Sequence, residues 1–460
     1  MVLIVHNALP QSKRFVKKVS NTECRYQRRI ARAEVGRQGE DTATEVLFWS
    51  IFKLQLLQDI PDPNDRLGFS PMADILSDVI LETDSPFTVG IYGDWGSGKT
   101  TLMTLIDERL RPKRVETVWF NAWRYEGKDV IWNALIQSIF FRMKEVAKQR
   151  GDEGFKKRIA DAAKNLAWFA ARRFIGTATG RAVTASDLDG IADALTPLNG
   201  ADNSEYFEFL NQFEMTFSRL VEDLLGDTGE RLVVFVDDLD RCLPENAVEV
   251  LEAIKLYLDK GNVTFVIGVE PEVVRDGIRF RYRDNESLRD KEYLEKIVQL
   301  PFSLRGLSHA SVLRLLEYKK AGRYREDELV QKLIILGTRS NPRRIKRFIN
   351  TFHVVERVEE LSGRNLTSDD VRRLSIVLLT QIRFPRIYDF LFDNPNLISD
   401  FAELRRTPGD LNSKIEKRSD LAEIFLNDSA VEFFDAVGSV DCSEALMSHW
   451  LRISQVAIDK

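Results

Sequence analysis

At 460 residues, with 44% hydrophobic positions and 28 phenylalanines, the chain can bury a large core and is expected to hold more than one structural unit. That composition excludes disorder as the default, and a formal charge of -5 argues against a uniformly basic coat for nucleic acid. The balance is uneven, however: Lys13 to Arg37 carries nine Lys or Arg against Glu23 and Glu34, a local +7 that leaves about -12 for the rest.

In chain order, MVLIVHNALP lacks a basic stretch ahead of a sustained apolar region and does not read as a signal peptide. The basic arm is a solvated segment unless nucleic acid or an acidic partner occupies it, and the apolar run VLFWSIFKLQLL after it predicts a docking or buried helix. Pro61, Pro63 and the turn PDPND mark a boundary. Beyond it, PMADILSDVI is predicted to be a helix with Met72, Ile75, Leu76 and Val79 on one face. PFTVGIYG predicts a buried strand, a helix is expected from Thr100 to about Leu110, VETVWFNAW predicts a second strand and DVIWNALIQSIFFRMKEV a long helix.

From about Gly151 to Gly229 the pattern is helical and more charged, with Tyr206, Leu210, Phe213, Phe217, Leu220 and Leu224 as one core stripe. Strand signals resume in RLVVFVDD and NVTFVIGV, and Pro244 and Gly261 bracket a helix between them. Alternating strands and helices imply a parallel sheet covered on both faces, and from Ser308 onward the patterns are helical. The longest charge-free apolar runs, such as Val130 to Phe141, are shorter than the ~20 residues a membrane helix needs. Cys24, Cys242 and Cys442 lie far apart with no CxxC, which indicates neither a disulfide framework nor a zinc site and fits a reducing, cytoplasmic setting. His309, His353 and His449 lack the spaced partners of metal ligands.

Gly93-Asp94-Trp95-Gly96-Ser97-Gly98-Lys99-Thr100 satisfies GxxxxGK[ST] between a predicted strand and a predicted helix. Glycines let successive N–H groups curl around phosphate oxygens, and the helix that follows adds its positive dipole end, so Gly93 to Thr100 and the adjoining Thr101 are expected to hold the nucleotide. Lys99 is a mobile cation for the β- and γ-phosphates and is not expected to be a core group, while the Thr100 hydroxyl suits Mg²⁺. The apolar strand Leu232–Asp238 ends in two acids. Asp237 is the expected Mg²⁺ partner, and Asp238 or Asp240 would orient the attacking water. The ligand expected from these residues is a nucleoside triphosphate, ATP with Mg²⁺.

Together, GIYGDWGSGKT, FNAWRY, VDDLDRC, YLEKIVQLPF and NPRRIKRFIN resemble the KAP family of P-loop NTPases over roughly residues 61 to 350. The resemblance implies an additional-strand ATPase fold with a helical appendage, and a link in bacterial members to phage exclusion or defence. Many members carry transmembrane helices between their two Walker motifs. Here residues 151 to 229 occupy that place, and their most apolar piece, LAWFAA, is flanked by Lys164 and Arg172-Arg173, so no membrane span is expected.

The expected fold class is α/β: a P-loop core with a parallel sheet sandwiched by helices, plus a helical insert and a C-terminal all-helical domain. The expected divisions are residues 1–60 (basic arm and helix), 61–150 (core with Walker A), 151–229 (insert), 230–306 (core with Walker B) and 307–460 (helical domain). After Asn341-Pro342, Arg343 and Arg347 share a helix face that either reports the γ-phosphate or is a basic surface, residues 339–347, for nucleic acid. Arg241 is structural or reaches across a subunit boundary. Trp119, Trp123 and Tyr125 pack beneath the site or stack on a base, and Trp95 covers the nucleotide or meets a partner protein. The expected activity is that of an ATP-driven conformational switch; a nucleotide-held scaffold or self-assembly with little turnover, and a nucleic-acid-stimulated ATPase, are the rival readings.

Overall fold

The computed structural model describes residues 56–61, 65–126, 131–177, 203–226, 231–258, 261–281, 290–317, 323–395, 428–438 and 440–455. The basic arm Lys13–Arg37, Cys24 and most of the apolar run before residue 58 lie outside them. Two units are present, one from Ile60 to Leu307 and one made of residues 56–59 with the chain from Ser308 onward.

In the first unit β-branched, apolar runs form β1 (Phe87–Tyr92), β2 (Glu116–Asn121), β3 (Leu232–Asp237), β4 (Val263–Val269) and β5 (Leu300–Ser303). They pair in parallel in the order β2-β3-β4-β1-β5. β3 and β4 are buried along their whole length, as central strands covered on both faces must be. β5 was not legible in the sequence. It has four residues including Pro301, which a ladder tolerates at an edge because the missing N–H is not needed there.

Helix α1 (Ser70–Glu82) buries Ala73, Leu76, Ser77 and Ile80, so its inward face is rotated from the expected one and Met72 and Ile75 point outward. Next come α2 (Lys99–Leu110) and α3 (Ile131–Arg150); α3 lays Trp132, Leu135, Ile136, Ile139 and Phe140 into one core with Val118 and Phe120 of β2. α4 (Glu153–Thr177) and α5 (Asn203–Leu225) fill the region between the two halves of the sheet sequence. Phe213, Phe217, Leu220 and Leu224 of α5 join the same core, as their stripe suggests; the side chains of Tyr206 and Leu210 lie outside the description. α6 (Pro244–Ala253) runs into a π-helical turn, Ile254–Leu258, and α7 (Pro271–Arg281) and α8 (Asp290–Ile297) complete the unit. Among the described residues no helix is long and apolar enough to cross a membrane.

The second unit is helical: α9 (His309–Leu316), α10 (Glu328–Thr338), α11 (Pro342–Leu361), α12 (Ser368–Arg383), α13 (Pro385–Asp393), α14 (Asp428–Val437) and α15 (Glu444–Gln455). Local chemistry sets its helix starts. Asp327 caps α10, Asn341 caps α11 through the amides of Arg343 and Arg344, and Thr367 with Asp370 forms a capping box on α12. Aromatic side chains fill the interior, with Tyr324 edge-on to Phe348 and Phe352, and Phe384 against Phe433 and Phe434.

Candidate functional site

The site forms at the carboxyl ends of the central strands. β1 delivers the loop Gly93–Gly98, and β3, one strand removed across β4, delivers Asp237. β4 is thin where they meet. A Cβ on Gly268 would fall 2.8 Å from Met103 Sδ, 3.4 Å from Asp237 Oδ1 and 3.7 Å from Lys99 Cβ, so the absent side chain makes room for these three residues to converge. Gly98 adopts φ +102° as the N-cap of α2, where a Cβ would meet the Phe69 ring at 2.7 Å. This leaves the first amides of α2, at Lys99, Thr100 and Thr101, at the head of the helix dipole. Asp94 and Trp95 are exposed on the loop and Thr101 is buried.

Lys99 is only 7% exposed. Its Nζ donates to the carbonyls of Gly93 (2.8 Å) and Asp94 (3.4 Å) and pairs with Asp240 Oδ2 at 2.7 Å, with the Asp240 side chain 3% exposed. The cation expected to serve phosphates is therefore also a buried structural partner. Ser97 Oγ, buried in the same loop, has no hydrogen-bond partner. The Thr100 hydroxyl hydrogen-bonds Asp237, and burial first, then the neighbouring Asp238 charge, raises the Asp237 carboxyl above its ordinary 3.8.

Asp238 takes a left-handed backbone (φ 56°) at the strand end. Its Oδ2 accepts from Asn121 Nδ2 at 2.6 Å and its Oδ1 lies 2.7 Å from Arg241 Nε. Trp119 stacks on Phe235 at 4.7 Å and donates to Asp107, and Tyr125 stacks on Phe120 at 5.3 Å, so both pack. Trp95 and Trp123 instead flank Arg241.

Two site residues escaped sequence reading. Asn121 stands opposite Asp237 in the β2–β3 register, and Glu270 follows β4 as Asp238 follows β3. Burial, then the charge of Asp94, pushes the Glu270 carboxyl up. The available signal was positional: each follows or closes a strand whose carboxyl end faces the glycine loop.

Arg343 and Arg347 belong to the helical unit. Arg343 is ion-paired with Asp59, and the adjoining segment is held on α11 by Asn350, which accepts from the Leu57 amide at 2.6 Å and donates to its carbonyl at 2.9 Å. Lys346 donates to the Gln58 carbonyl at 3.3 Å, while Arg347 is exposed.

A strand, glycine loop and helix, with an acid-tipped strand two places away on a parallel sheet, define a P-loop NTPase domain. Residues 69–358 match the KAP family P-loop domain, and the chain belongs to that family. Among curated relatives, the phage T7 exclusion protein of Escherichia coli (strain K12) is 24% identical over 54% of this chain, and the match spans only 34% of that protein's length. An uncharacterized protein of Methanocaldococcus jannaschii is 27% identical over 31% of this chain and 84% of its own. Among solved structures, the Aeropyrum pernix ORC2 protein in its ADP form aligns over 81% of this chain and 84% of that one, with 12% identity and a TM-score of 0.34. Drosophila ORC bound to DNA aligns with 14% identity and a TM-score of 0.26, over 81% of this chain and 83% of that one.

Proposed function

We propose that the chain binds ATP with Mg²⁺ at the Gly93–Thr101 loop and hydrolyses it to switch the arrangement of its domains, in a role related to phage exclusion. The observation that carries the reading is the convergence of Lys99, Thr100 and Asp237 beneath a loop whose buried Ser97 Oγ lacks a partner. An orphaned buried hydroxyl next to the first amides of α2 fits a phosphate oxygen or an ion beside it. Mg²⁺, when bound, supplies charge neutralisation between the β- and γ-phosphates. Thr100 would hold it directly and Asp237 through water. Among the described residues no three His, Cys, Asp or Glu side chains converge to hold a metal alone, which agrees with a site completed by phosphates and water.

The chain's own residues then have separate tasks. Lys99 leaves Asp240 for the phosphate tail, and the amides of Gly96 and of Gly98 to Thr101 bind its oxygens. Asp238 orients the attacking water once its carboxylate is exposed to it, while Asp240 serves as the resting partner of Lys99. Arg343 and Arg347 are proposed to report the nucleotide state to the helical unit. The phage-exclusion role rests on the relative's name and on family membership alone.

A second reading, a nucleotide-held scaffold with little turnover, draws on Asp238, both of whose oxygens are engaged. Steady-state phosphate release decides between them. Turnover that falls at least tenfold in Asp238→Asn, with ATP binding kept, supports the switch. Negligible wild-type release, no faster than that of the variant, supports the scaffold, whereas equal and substantial release in both would pass the role of Asp238 to Asp240. Stimulation by DNA or RNA that falls steeply with salt would favour a nucleic-acid-dependent ATPase, with the basic arm or residues 339–347 as the contact.

A further inference from the structure

Arg241 has no task in the reading above, yet it touches three functional elements at once. Its Nε lies 2.7 Å from Asp238 Oδ1, and the N–H is not aimed to make a hydrogen bond, so the contact is held by charge alone. Its guanidinium carbon sits 5.9 Å from the ring centre of Trp95 and 5.2 Å from that of Trp123, within cation–π range of both. Trp95 belongs to the phosphate loop and Trp123 to the turn Ala122–Tyr125 after β2.

Both indoles are more than half exposed, 59% for Trp95 and 52% for Trp123, although tryptophan is ordinarily a largely covered residue. Neither is explained by the core. Their shared contact is Arg241, and what Arg241 holds is the carboxylate assigned to the attacking water.

We infer that Arg241 is a positioning residue which, clasped between Trp95 and Trp123, latches Asp238 away from water until nucleotide fills the loop. The inference rests on the proposed role of Asp238. Two links carry nucleotide occupancy to the latch. Trp95 rides on the loop that wraps the phosphates, and Asp240, which loses Lys99 to the phosphates, shares the turn Leu239–Arg241 with the arginine itself. The second carboxylate oxygen stays with Asn121, so release of Arg241 frees one oxygen while the other keeps Asp238 aimed.

The test measures kcat and KM for ATP in the full chain for wild type, Trp123→Ala, Arg241→Lys and Arg241→Gln. Losing one cation–π contact raises kcat roughly two- to fivefold in Trp123→Ala with KM unchanged. Arg241→Gln raises it further and Arg241→Lys falls between. Acrylamide quenching of tryptophan fluorescence, stronger after a non-hydrolysable ATP analogue binds the wild type and already strong without it in Arg241→Gln, reports the open stack directly. A kcat unchanged in Trp123→Ala and Arg241→Gln makes the stack merely structural and overturns the latch. A lowered kcat with intact ATP affinity makes Arg241 a stabiliser of the reacting phosphates and overturns it too. Trp123→Ala, at an exposed position, keeps the test open should Arg241→Gln fail to fold. Asp238→Asn, run alongside, separates the failures: a slow Asp238→Asn with an unaccelerated Arg241→Gln sinks only the latch, whereas wild-type turnover in Asp238→Asn removes the role of Asp238 and the latch with it.

Discussion

Lys99→Ala should do more than weaken nucleotide binding: it should also destabilise the nucleotide-free protein. Lys99 and Asp240 meet at 2.7 Å with side chains 7% and 3% exposed, so solvent does little to screen the pair. Removing one partner of such a pair leaves an uncompensated buried charge and costs ~3–5 kcal/mol. For a unit the size of residues 60–307 each kcal/mol lowers the melting temperature by ~2–4 °C, so the fall should be on the order of 10 °C or more. Lys99→Ala with Asp240→Asn removes the stranded charge and should recover about half of the loss or more. Calorimetric melting of the four proteins of this cycle, without nucleotide, measures it. A single variant melting within about 2 °C of wild type would refute the argument. Lys99 would then be a ligand group only, as its motif alone suggests.

Four other outcomes follow from the same geometry. Asp240→Asn frees Lys99 from its resting partner and should tighten triphosphate binding by about tenfold, read by calorimetric titration, provided the Lys99–Asp240 pair competes with phosphate. Asp237→Asn should weaken Mg²⁺-dependent binding and turnover together, whereas Asp238→Asn should bind ATP nearly normally and hydrolyse it slowly; equal defects in both would merge the two roles. Because burial raises the Asp237 carboxyl, its ionised form costs stability that is present at low pH and lost as pH rises through the folded value. Conversely, Mg²⁺ affinity should fall on acidification at a pH above the ordinary 3.8, and an unchanged affinity down to that value would contradict this. Gly268→Ala places a methyl 2.8 Å from Met103 Sδ and should cost ~1–3 kcal/mol in stability with a loss of ATP affinity, by urea titration and binding.

Much of the first unit was legible because its signals are local. A buried parallel strand needs a short apolar, β-branched run, and a phosphate loop needs glycines where Gly98 turns left-handed, so β1, β3, β4 and Lys99 could be read residue by residue. What was not legible depends on neighbours brought together only by the fold. The rotated face of α1, the four-residue β5 with Pro301, and the pairing of Lys99 with Asp240 across 141 positions leave no periodic trace in sequence. Asn121 stands among aromatic residues in FNAWRY, where nothing local marks it, and its contact with Asp238 arises from the β2–β3 register.

The carboxylates gathered at the strand ends bear on the proposed need for a divalent cation. Asp238 and Asp240 both act on Asp237, and Asp94 and Asp240 on Glu270, so these carboxylates outnumber Lys99 and Arg241 at the strand ends. A triphosphate tail approaching alone would meet a surplus of its own charge, in surroundings where burial strengthens the repulsion. The amides at the start of α2 offset only part of it, since a helix terminus amounts to about half an elementary charge. Thr100 and Asp237, joined by a hydrogen bond, are the groups proposed to admit a cation between that surplus and the phosphates. Metal and nucleotide should therefore bind with strong positive coupling, each tightening the other by the same factor. Titrating ATP with and without Mg²⁺, and Mg²⁺ with and without ATP, measures that factor twice. Equal ATP affinity in the presence and absence of Mg²⁺ would mean that the acids do not face the phosphates.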